Sequence, residues 1–280
     1  MTNPSVLISG LGLMGGSLAA VLSAAGWRVL LHHHRPGVAQ DAQARGWGRA
    51  VESINSSSLE AANLDLAVVC TPVSVIAPTV RALAASTSAL ITDVGSTKGG
   101  ICADLADLGP RFIGSHPMCG SHRQGLGNAD PELYLGRVAL ITPTASTRPA
   151  DLAQIEALWR AAGSRTLCLS PADHDRVVAE ASHLPHVLAS LTASLLTPDA
   201  VPVCAGGFRD ATRIAAAAPD LWVDILLANR DAMRPLLSNA RARLDALDHA
   251  LASGDGSAIR DWLAAGKAGR QRFDEAQSTA

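Results

Sequence analysis

The segment Gly10-Leu11-Gly12-Leu13-Met14-Gly15 decides the fold, because it joins a short apolar run at residues 6–9 to an Ala- and Leu-rich stretch at 15–25. Between a strand and a helix, G-x-G-x-x-G predicts a dinucleotide-binding turn. The first glycine permits the tight turn, the second leaves room for a pyrophosphate, and the third lets helix and strand pack closely. The helix N-terminus adds free N–H groups and the positive end of the helix dipole. We therefore predict that this whole segment binds cofactor; a glycine-rich turn without a ligand is the alternative.

Outward from this turn, residues 1–170 alternate strand and helix patterns. The predicted strands are residues 6–9, 28–32, 66–70, 89–93, 111–114, 137–142 and 166–169, and the predicted helices are 15–25, 73–85 and 149–162. Strand and helix in alternation predict an α/β fold with a parallel sheet covered on both faces.

After Ser170-Pro171 the pattern becomes helical, with predicted helices at residues 173–197, 208–217, 221–252 and 258–277. The sequence thus predicts a Rossmann-type dinucleotide-binding domain at 1–170 and an all-helical domain at 171–280. Boundaries of this kind are uncertain by about two to four residues.

Composition excludes several classes of protein. With 48% hydrophobic and 17% charged residues among 280, the chain is not disordered. A net charge of −2 argues against binding nucleic acid or an anionic membrane surface. No apolar run approaches the roughly 20 residues that cross a bilayer, and no basic segment precedes an apolar one at the N-terminus. Five scattered cysteines, never in C-x-x-C spacing, favour reduced thiols. We expect a cytoplasmic globular protein.

The end of the second strand indicates which cofactor binds. An acidic residue there would accept a hydrogen bond from the adenosine ribose and repel a 2′-phosphate. The chain reads Leu31-His32-His33-His34-Arg35 instead, without a carboxylate. The Arg35 guanidinium suits a phosphate, so we predict NADP rather than NAD, with His33 and Arg35 in the cofactor site. Thr71, after the third predicted strand, is placed there too. A histidine metal site is disfavoured, because neighbours in a strand point to opposite faces; a solvated strand end stays open.

Four further segments are polar, rich in glycine or contain histidine, although the fold by itself does not require such residues there. They read D-V-G-S-T-K-G at 93–99, G-S-H-P-M-C-G at 114–120, S-H-L-P-H at 182–186 and G-G-F-R-D-A-T-R-I-A at 206–215. We expect the first two to lie just beyond the carboxyl ends of strands, where open α/β sheets bind ligands.

These segments, in this order with residues 10–17 and as far as Trp222, resemble the prephenate/arogenate dehydrogenase family of tyrosine biosynthesis. The resemblance implies a Rossmann domain, a helical domain that forms a homodimer, and oxidation of a cyclohexadienol at C4. Hydride would pass to nicotinamide and the ring carboxylate would leave as carbon dioxide. Carried across by motif, the catalytic histidine falls on His116, the D-V-G-S serine on Ser96, and the substrate-binding residues on His183, His186 and Arg213.

The residue types suit this chemistry independently. Removing a hydride from a carbinol needs a base for the hydroxyl proton, and neutral histidine serves near pH 7. Arginine binds a carboxylate bidentately, and aromatisation drives decarboxylation without a metal. Alternatives stay open: His116 could cap a strand end, His183 could be a buried structural histidine, and Arg213 could pair with Asp210. Zinc binding by His183 and His186 is disfavoured, because no glutamate in H-E-x-x-H spacing accompanies them.

One departure from the family concerns His122, which stands where many relatives carry an acidic residue near the substrate's side chain. Losing that carboxylate would weaken recognition of arogenate's ammonium, so we predict prephenate as substrate, with His122 nearby.

Two other functions remain open from the sequence. A β-hydroxyacid-type dehydrogenase would typically use a helical-domain lysine, yet the only lysines are Lys98 and Lys267. A non-catalytic NADP-binding sensor would not need His116, Ser96 and Arg213 together.

Overall fold

The computed structural model describes residues 3–54, 59, 63–119 and 123–278. The chain forms two compact units, Met1–Arg230 and Asp231–Ala280. The last strand ends at Cys168, and the described residues after it are helical or lie in turns and loops. The compact unit continues further, to Arg230, because Asp175 and Asp224 of the later helices accept hydrogen bonds from Lys98 N and Ser74 Oγ of the strand-bearing part.

The first unit is built around a five-stranded parallel sheet. Its strands are β1 (Ser5–Ser9), β2 (Arg28–His32), β3 (Arg49–Ala50), β4 (Leu66–Val69) and β5 (Leu90–Asp93), in the order β3-β2-β1-β4-β5. Helices α1 (Leu13–Ala24), α2 (Val38–Ala44) and α3 (Val73–Ser86) connect them. Alternate residues of β1 pack into two separate hydrophobic cores. Val6 and Ile8 belong to one core, and Leu7 belongs to the other. Both faces of the sheet are therefore covered, as the continuous apolar runs predict.

A second, three-stranded sheet follows helix α4 (Gly99–Asp104). Its strands are β6 (Gly114–Pro117), β7 (Val138–Thr142) and β8 (Arg165–Cys168), with helix α5 (Pro149–Ala161) between the last two. Strand β6 runs antiparallel to β7, and β8 runs parallel to it.

The predicted strand at 111–114 is wrong by about three residues. Phe112 bridges to Ile91 of β5, and the chain enters the second sheet only afterwards. His116 therefore lies inside β6, where its backbone is held by the strand, and not in a loop beyond a strand end as the sequence suggested.

The remaining chain is helical. The helices are α6 (Pro171–Val178), a π-helical turn (Ala179–His183), α7 (Leu184–Ser194), α8 (Gly206–Thr212), α9 (Pro219–Ala228), α10 (Arg230–Ser253) and α11 (Gly256–Ser278). Short 3-10 turns lie at Ala106–Arg111, Leu126–Asn128, Pro198–Val203 and Arg213–Ala216. None of the described helices has both the length and the apolar character that crossing a membrane demands.

The π turn has a local cause. Pro185 lacks a backbone N–H and its ring crowds the preceding carbonyls, so the hydrogen-bond pattern widens just before it. The predicted single helix at 173–197 is thus α6, the π turn and α7 in succession, and the wide turn fixes the direction in which His183 and His186 point.

Candidate active site

The dinucleotide turn has the geometry that its three glycines predict. Gly10 has a φ of +100°, and a Cβ there would lie 2.5 Å from the Cys70 carbonyl oxygen. A Cβ on Gly15 would lie 1.9 Å from the Gly10 carbonyl oxygen, so this position tolerates only glycine. A Cβ on Gly12 would meet nothing within 4 Å. The backbone is therefore tight at Gly10 and Gly15 and faces open space at Gly12, where a pyrophosphate requires it.

The start of helix α1 suits an anion. Gly12 caps it without a side-chain hydrogen bond, and its first turn carries no acidic residue. The first N–H groups of a helix have no partner within it, so this end offers donors and a positive dipole. Leu13 and Met14 contribute two of these backbone groups.

The neighbouring strand ends add polar groups that fit a nicotinamide dinucleotide. The Arg35 side chain after β2 is exposed and has no partner among the described residues, and no carboxylate lies between His32 and Arg35. The backbone N–H of Arg35 donates to His33 Nδ1 at 3.0 Å. After β4, Thr71 Oγ1 is buried and has no hydrogen-bond partner in the described ranges. A buried orphan hydroxyl is costly, so a ligand that bonds to it would be favoured.

At the end of β5, Asp93 forms the centre of a buried ionic cluster. Its carboxylate accepts hydrogen bonds from the Lys98 ammonium, from the Gly95 N–H at 2.8 Å and from the Ser115 N–H at 3.1 Å. The side chains of both Asp93 and Lys98 are fully buried. A buried ion pair is stable only when further hydrogen bonds satisfy it, and these backbone donors supply them. The pair thereby fixes the position of Ser115, next to His116.

His116 is buried and bonded to a second histidine. Its Nδ1 lies 3.0 Å from His174 Nε2, and His174 Nδ1 lies 2.8 Å from Asp175 Oδ1. We call these residues the His116–His174–Asp175 array. Burial, which is the largest cause, and the nearby Lys98 ammonium hold the pKa of His116 well below its usual range. His116 is therefore neutral near pH 7, as a base must be.

Asp175 ties the array to the loop after β5. Its carboxylate accepts the backbone N–H groups of Lys98 at 2.7 Å and Gly99 at 2.8 Å. Burial opposes ionisation, but the hydrogen bonds from His174 and from these two N–H groups outweigh it and lower the pKa of Asp175. Asp175 therefore carries a fixed negative charge.

Next to this array lie two histidines with unpartnered nitrogens. Asn229 Nδ2 donates to the Asp175 carbonyl at 2.9 Å and lies 3.0 Å from His183 Nδ1. An NH₂ group only donates, so His183 Nδ1 accepts and its Nε2 carries the hydrogen. Within the part of the chain that the structure describes, that buried Nε2 has no hydrogen-bond partner, and neither does His186 Nδ1. The His186 ring stacks on Trp222, with centroids 3.5 Å apart. Burial lowers the pKa of His183 to about 4, so it is a neutral donor.

The remaining predicted site residues are Ser96, Arg213 and His122. Ser96 is half-buried, and no hydrogen bond joins it to His116 or to any other described residue. Arg213 begins the turn Arg213–Ala216, which packs on α7, the helix that carries His186. The alternative of an Arg213–Asp210 ion pair is wrong: Asp210 lies 3.8 Å from Arg209, and the exposed Arg213 has no partner in the described part of the chain. His122 lies outside the described residues.

Sequence reasoning missed His174, Asp175, Asn229 and the Asp93–Lys98 pair. The pair was visible within D-V-G-S-T-K-G, although only as a polar motif. The adjacent His174-Asp175 follows a proline-initiated helix start and gave no signal of its own, and nothing in the sequence marks Asn229. Among the described residues no group of three His, Cys, Asp or Glu side chains is arranged to hold a metal ion.

Comparison with known proteins identifies the family. A family model described as prephenate dehydrogenase, nucleotide-binding domain, matches residues 18–168, and one described as prephenate dehydrogenase, dimerization domain, matches residues 170–265. The chain belongs to the prephenate dehydrogenase family. The resemblance inferred from the motifs is thus confirmed, and the chain is an NAD(P)-dependent dehydrogenase with a Rossmann-type nucleotide-binding domain and a helical dimerization domain.

Individual relatives agree with this assignment. A cyclohexadienyl dehydrogenase from Zymomonas mobilis is 35% identical over 90% of this chain and 89% of the relative. A prephenate dehydrogenase from Bacillus subtilis is 35% identical over 81% of this chain and 64% of the relative. Among solved structures, prephenate dehydrogenase from A. aeolicus in complex with hydroxyphenyl propionate and NAD+ is 29% identical, with a TM-score of 0.87 over 98% of this chain and 99% of that one. Synechocystis arogenate dehydrogenase is 28% identical, with a TM-score of 0.82 over 96% and 99%.

Proposed function

We propose that this enzyme oxidises prephenate at its C4 hydroxyl, releases the ring carboxylate as carbon dioxide and forms 4-hydroxyphenylpyruvate, with NADP as hydride acceptor. The observation that carries the proposal is His116, a buried neutral imidazole whose Nδ1 is engaged by His174 at 3.0 Å. Its Nε2 remains to take a proton. Members of this family with such a base serve tyrosine biosynthesis.

The turn residues Gly10, Gly12 and Gly15 and the first N–H groups of α1 would hold the cofactor pyrophosphate, and Thr71 Oγ1 offers a further hydrogen bond. When bound, the nicotinamide ring accepts the hydride that leaves C4. NADP is proposed over NAD because Arg35 offers a free guanidinium where an NAD enzyme would carry a carboxylate. The A. aeolicus relative was solved with NAD+, so this choice rests on Arg35 of the present chain.

In the reaction, His116 Nε2 removes the C4 hydroxyl proton as the hydride departs. Ser96, half-buried and without a partner among the described residues, would orient that hydroxyl. The oxidised ring loses its carboxylate as carbon dioxide, because the electrons of the broken C–C bond complete an aromatic ring. The phenolate oxygen that this leaves takes back the proton held on His116, which gives 4-hydroxyphenylpyruvate and restores the neutral base.

The substrate's carboxylates need donors, and the site supplies them. The Nε2–H of His183 is a buried donor without a partner among the described residues, so it would donate a hydrogen bond to an oxygen of a keto-acid side chain. His186, held flat against Trp222, would contact the same side chain. Arg213 can bind a carboxylate bidentately, and its guanidinium is unengaged in the described part of the chain.

Prephenate is proposed over arogenate because of the groups near the side-chain position. His122 replaces an acidic residue of many relatives, and the Asp175 carboxylate is already occupied by Lys98, Gly99 and His174. An ammonium group would therefore find donors rather than acceptors at His183. Relatives named cyclohexadienyl and arogenate dehydrogenase make arogenate the second candidate.

We also propose that residues 1–170 bind the cofactor and that 171–280 bind substrate and form a homodimer. The matched family regions, which meet between residues 168 and 170, support this division. An apolar stripe on α7 supports dimer formation: Leu188, Leu191 and Leu195 are all exposed and lie three or four residues apart, on one helix face.

A steady-state assay of prephenate and arogenate, each with NADP and with NAD, tests the proposal. We expect the highest kcat/KM for prephenate with NADP, and Arg35→Ala should lower the NADP-to-NAD ratio by about 10-fold, the effect of one lost charge-assisted contact. Arg213→Ala should chiefly raise KM for prephenate. A strong preference for arogenate would overturn the substrate proposal, a strong preference for NAD would overturn the Arg35 proposal, and no activity with either substrate would overturn both.

A further inference from the structure

The His116–His174–Asp175 array leaves only one protonation pattern for two neutral imidazoles. Asp175 is a carboxylate that accepts hydrogen bonds from Lys98 N and Gly99 N, so it has no proton to give. His174 Nδ1, 2.8 Å away, must therefore donate to it. A neutral His174 then has a bare Nε2, which accepts from His116 Nδ1–H at 3.0 Å.

We propose that Asp175 and His174 are positioning residues that hold His116 in the tautomer with Nδ1 protonated and Nε2 free to accept the substrate proton. The inference rests on the proposed function, since it concerns the base of that reaction. Reversing the pattern would place the lone pair of His174 Nδ1 against the Asp175 carboxylate, two acceptors 2.8 Å apart.

Double protonation of His174 is the other way to break the pattern, and the surroundings oppose it. His174 is fully buried, and the titratable groups near it are Asp175, Lys98, Asp93, His116 and His183. Burial lowers its pKa, and the charge on Lys98 acts in the same direction, although Asp175 and Asp93 act against them. His174 therefore stays neutral near pH 7 and keeps its acceptor for His116.

The anchoring of Asp175 provides a variant that touches neither histidine. A Cβ on Gly99 would lie 2.8 Å from Asp175 Oδ2, so Gly99→Ala must displace the carboxylate or the loop that holds it. A Cβ on Gly100, the next residue of the same helix, would meet nothing within 4 Å. Gly100→Ala is thus a matched control with the same change of residue type.

Direct observation of the tautomer is the primary test. In the full-length protein labelled with ¹⁵N-histidine, long-range ¹H–¹⁵N spectra distinguish a protonated ring nitrogen from a bare one, and His116→Asn identifies the His116 signals by their loss. We expect Nδ1 protonated and Nε2 bare. The opposite tautomer for His116 overturns the proposal whether or not prephenate is the substrate.

Kinetics supply the second test. His174→Phe keeps a planar ring but offers no acceptor, whereas His174→Gln places a carbonyl oxygen near the Nε2 position. We expect His174→Phe to lower kcat by about 10-fold or more, but by less than the about 10⁴-fold loss that a fully wrong tautomer causes. KM for substrate and for cofactor should be nearly unchanged. His174→Gln should recover part of kcat, and Gly99→Ala should lower it while Gly100→Ala does not.

Wild-type kcat in His174→Phe, or equal effects of Gly99→Ala and Gly100→Ala, would overturn the positioning role. A wild-type enzyme inactive on both prephenate and arogenate would instead overturn the proposed function, and the tautomer spectra would still decide the protonation pattern.

Discussion

The dinucleotide turn, which follows β1, and the His116–His174–Asp175 array, which joins β6 to α6, are built in opposite ways. The turn is local: Gly10 and Gly15 meet each other across five residues, and Gly12 faces open space between them. The array is assembled from distant segments, since Asp175 holds the backbone of Lys98 from 77 positions away. A local motif is set by backbone sterics, whereas the array exists only when the helix Pro171–Val178 docks correctly.

This difference predicts that the two regions can be damaged independently. The largest effect is expected for His116→Asn, which removes the base without touching the turn. We expect kcat to fall by roughly two to four orders of magnitude, the range for losing a general base, with cofactor affinity unchanged. Steady-state kinetics and calorimetric titration with NADP measure the two quantities.

His249→Asn is the control for this variant, because His249 is exposed on α10 and should leave kcat at the wild-type value. A fully active His116→Asn enzyme would remove His116 from the mechanism.

The next effect concerns the ionic cluster that supports the array. Asp93→Asn leaves the Lys98 ammonium fully buried without a counter-charge, and breaking a buried pair in this way costs about 3–5 kcal/mol of unfolding free energy. Asp107→Asn breaks the exposed pair with Arg81 and should leave stability nearly unchanged, because solvent screens that pair. Denaturant unfolding of both variants checks this; similar losses in the two would show that Asp93–Lys98 does not stabilise the fold.

Two glycine variants should damage the dinucleotide turn and leave the His116–His174–Asp175 array intact. Gly15→Ala places a Cβ 1.9 Å from a backbone oxygen, so the turn must distort and the melting temperature should fall. A Cβ at Gly12 meets no atom of the described residues within 4 Å, so Gly12→Ala should fold normally. Its methyl group would occupy the space left for the pyrophosphate, so we expect Kd for NADP to rise by about 10-fold or more, about 1.4 kcal/mol.

Thermal unfolding and calorimetric titration separate the two glycine variants. Wild-type affinity in Gly12→Ala would mean that the pyrophosphate does not lie over this residue.

The same contrast explains how far the sequence could be interpreted. Strands β1, β2, β4 and β5 were predicted to within one residue, because continuous apolar runs such as residues 66–69 mark a buried parallel strand. Strand β6 was misplaced because its sequence, G-S-H-P, has no apolar pattern, and its position depends on pairing with β7. The two-residue β3 was missed for the same reason.

Within the site, the sequence alone identified those residues that lie in a recognisable motif. The glycines of the turn and His116 stand in motifs with a defined mechanism. His174 and Asp175 do not, since their roles depend on the docking of α6 against the loop after β5. The side-chain amide of Asn229 links Asp175 to His183. Asn229 and His183 are 46 positions apart in the chain. No local pattern encodes a hydrogen bond of that range.

The smallest expected effect is on pH dependence, and it distinguishes a buried array from an exposed histidine. The base must be neutral to accept a proton, and burial together with the nearby Lys98 ammonium lowers the pKa of His116. A lowered pKa keeps the neutral form present in more acidic solution. The acidic limb of the profile of kcat/KM against pH should therefore have its midpoint below the value of about 6.5 of an ordinary histidine. Activity that is already half lost at pH 6.5 or above, with the protein still folded by circular dichroism, would place the base in contact with water and separate it from the array.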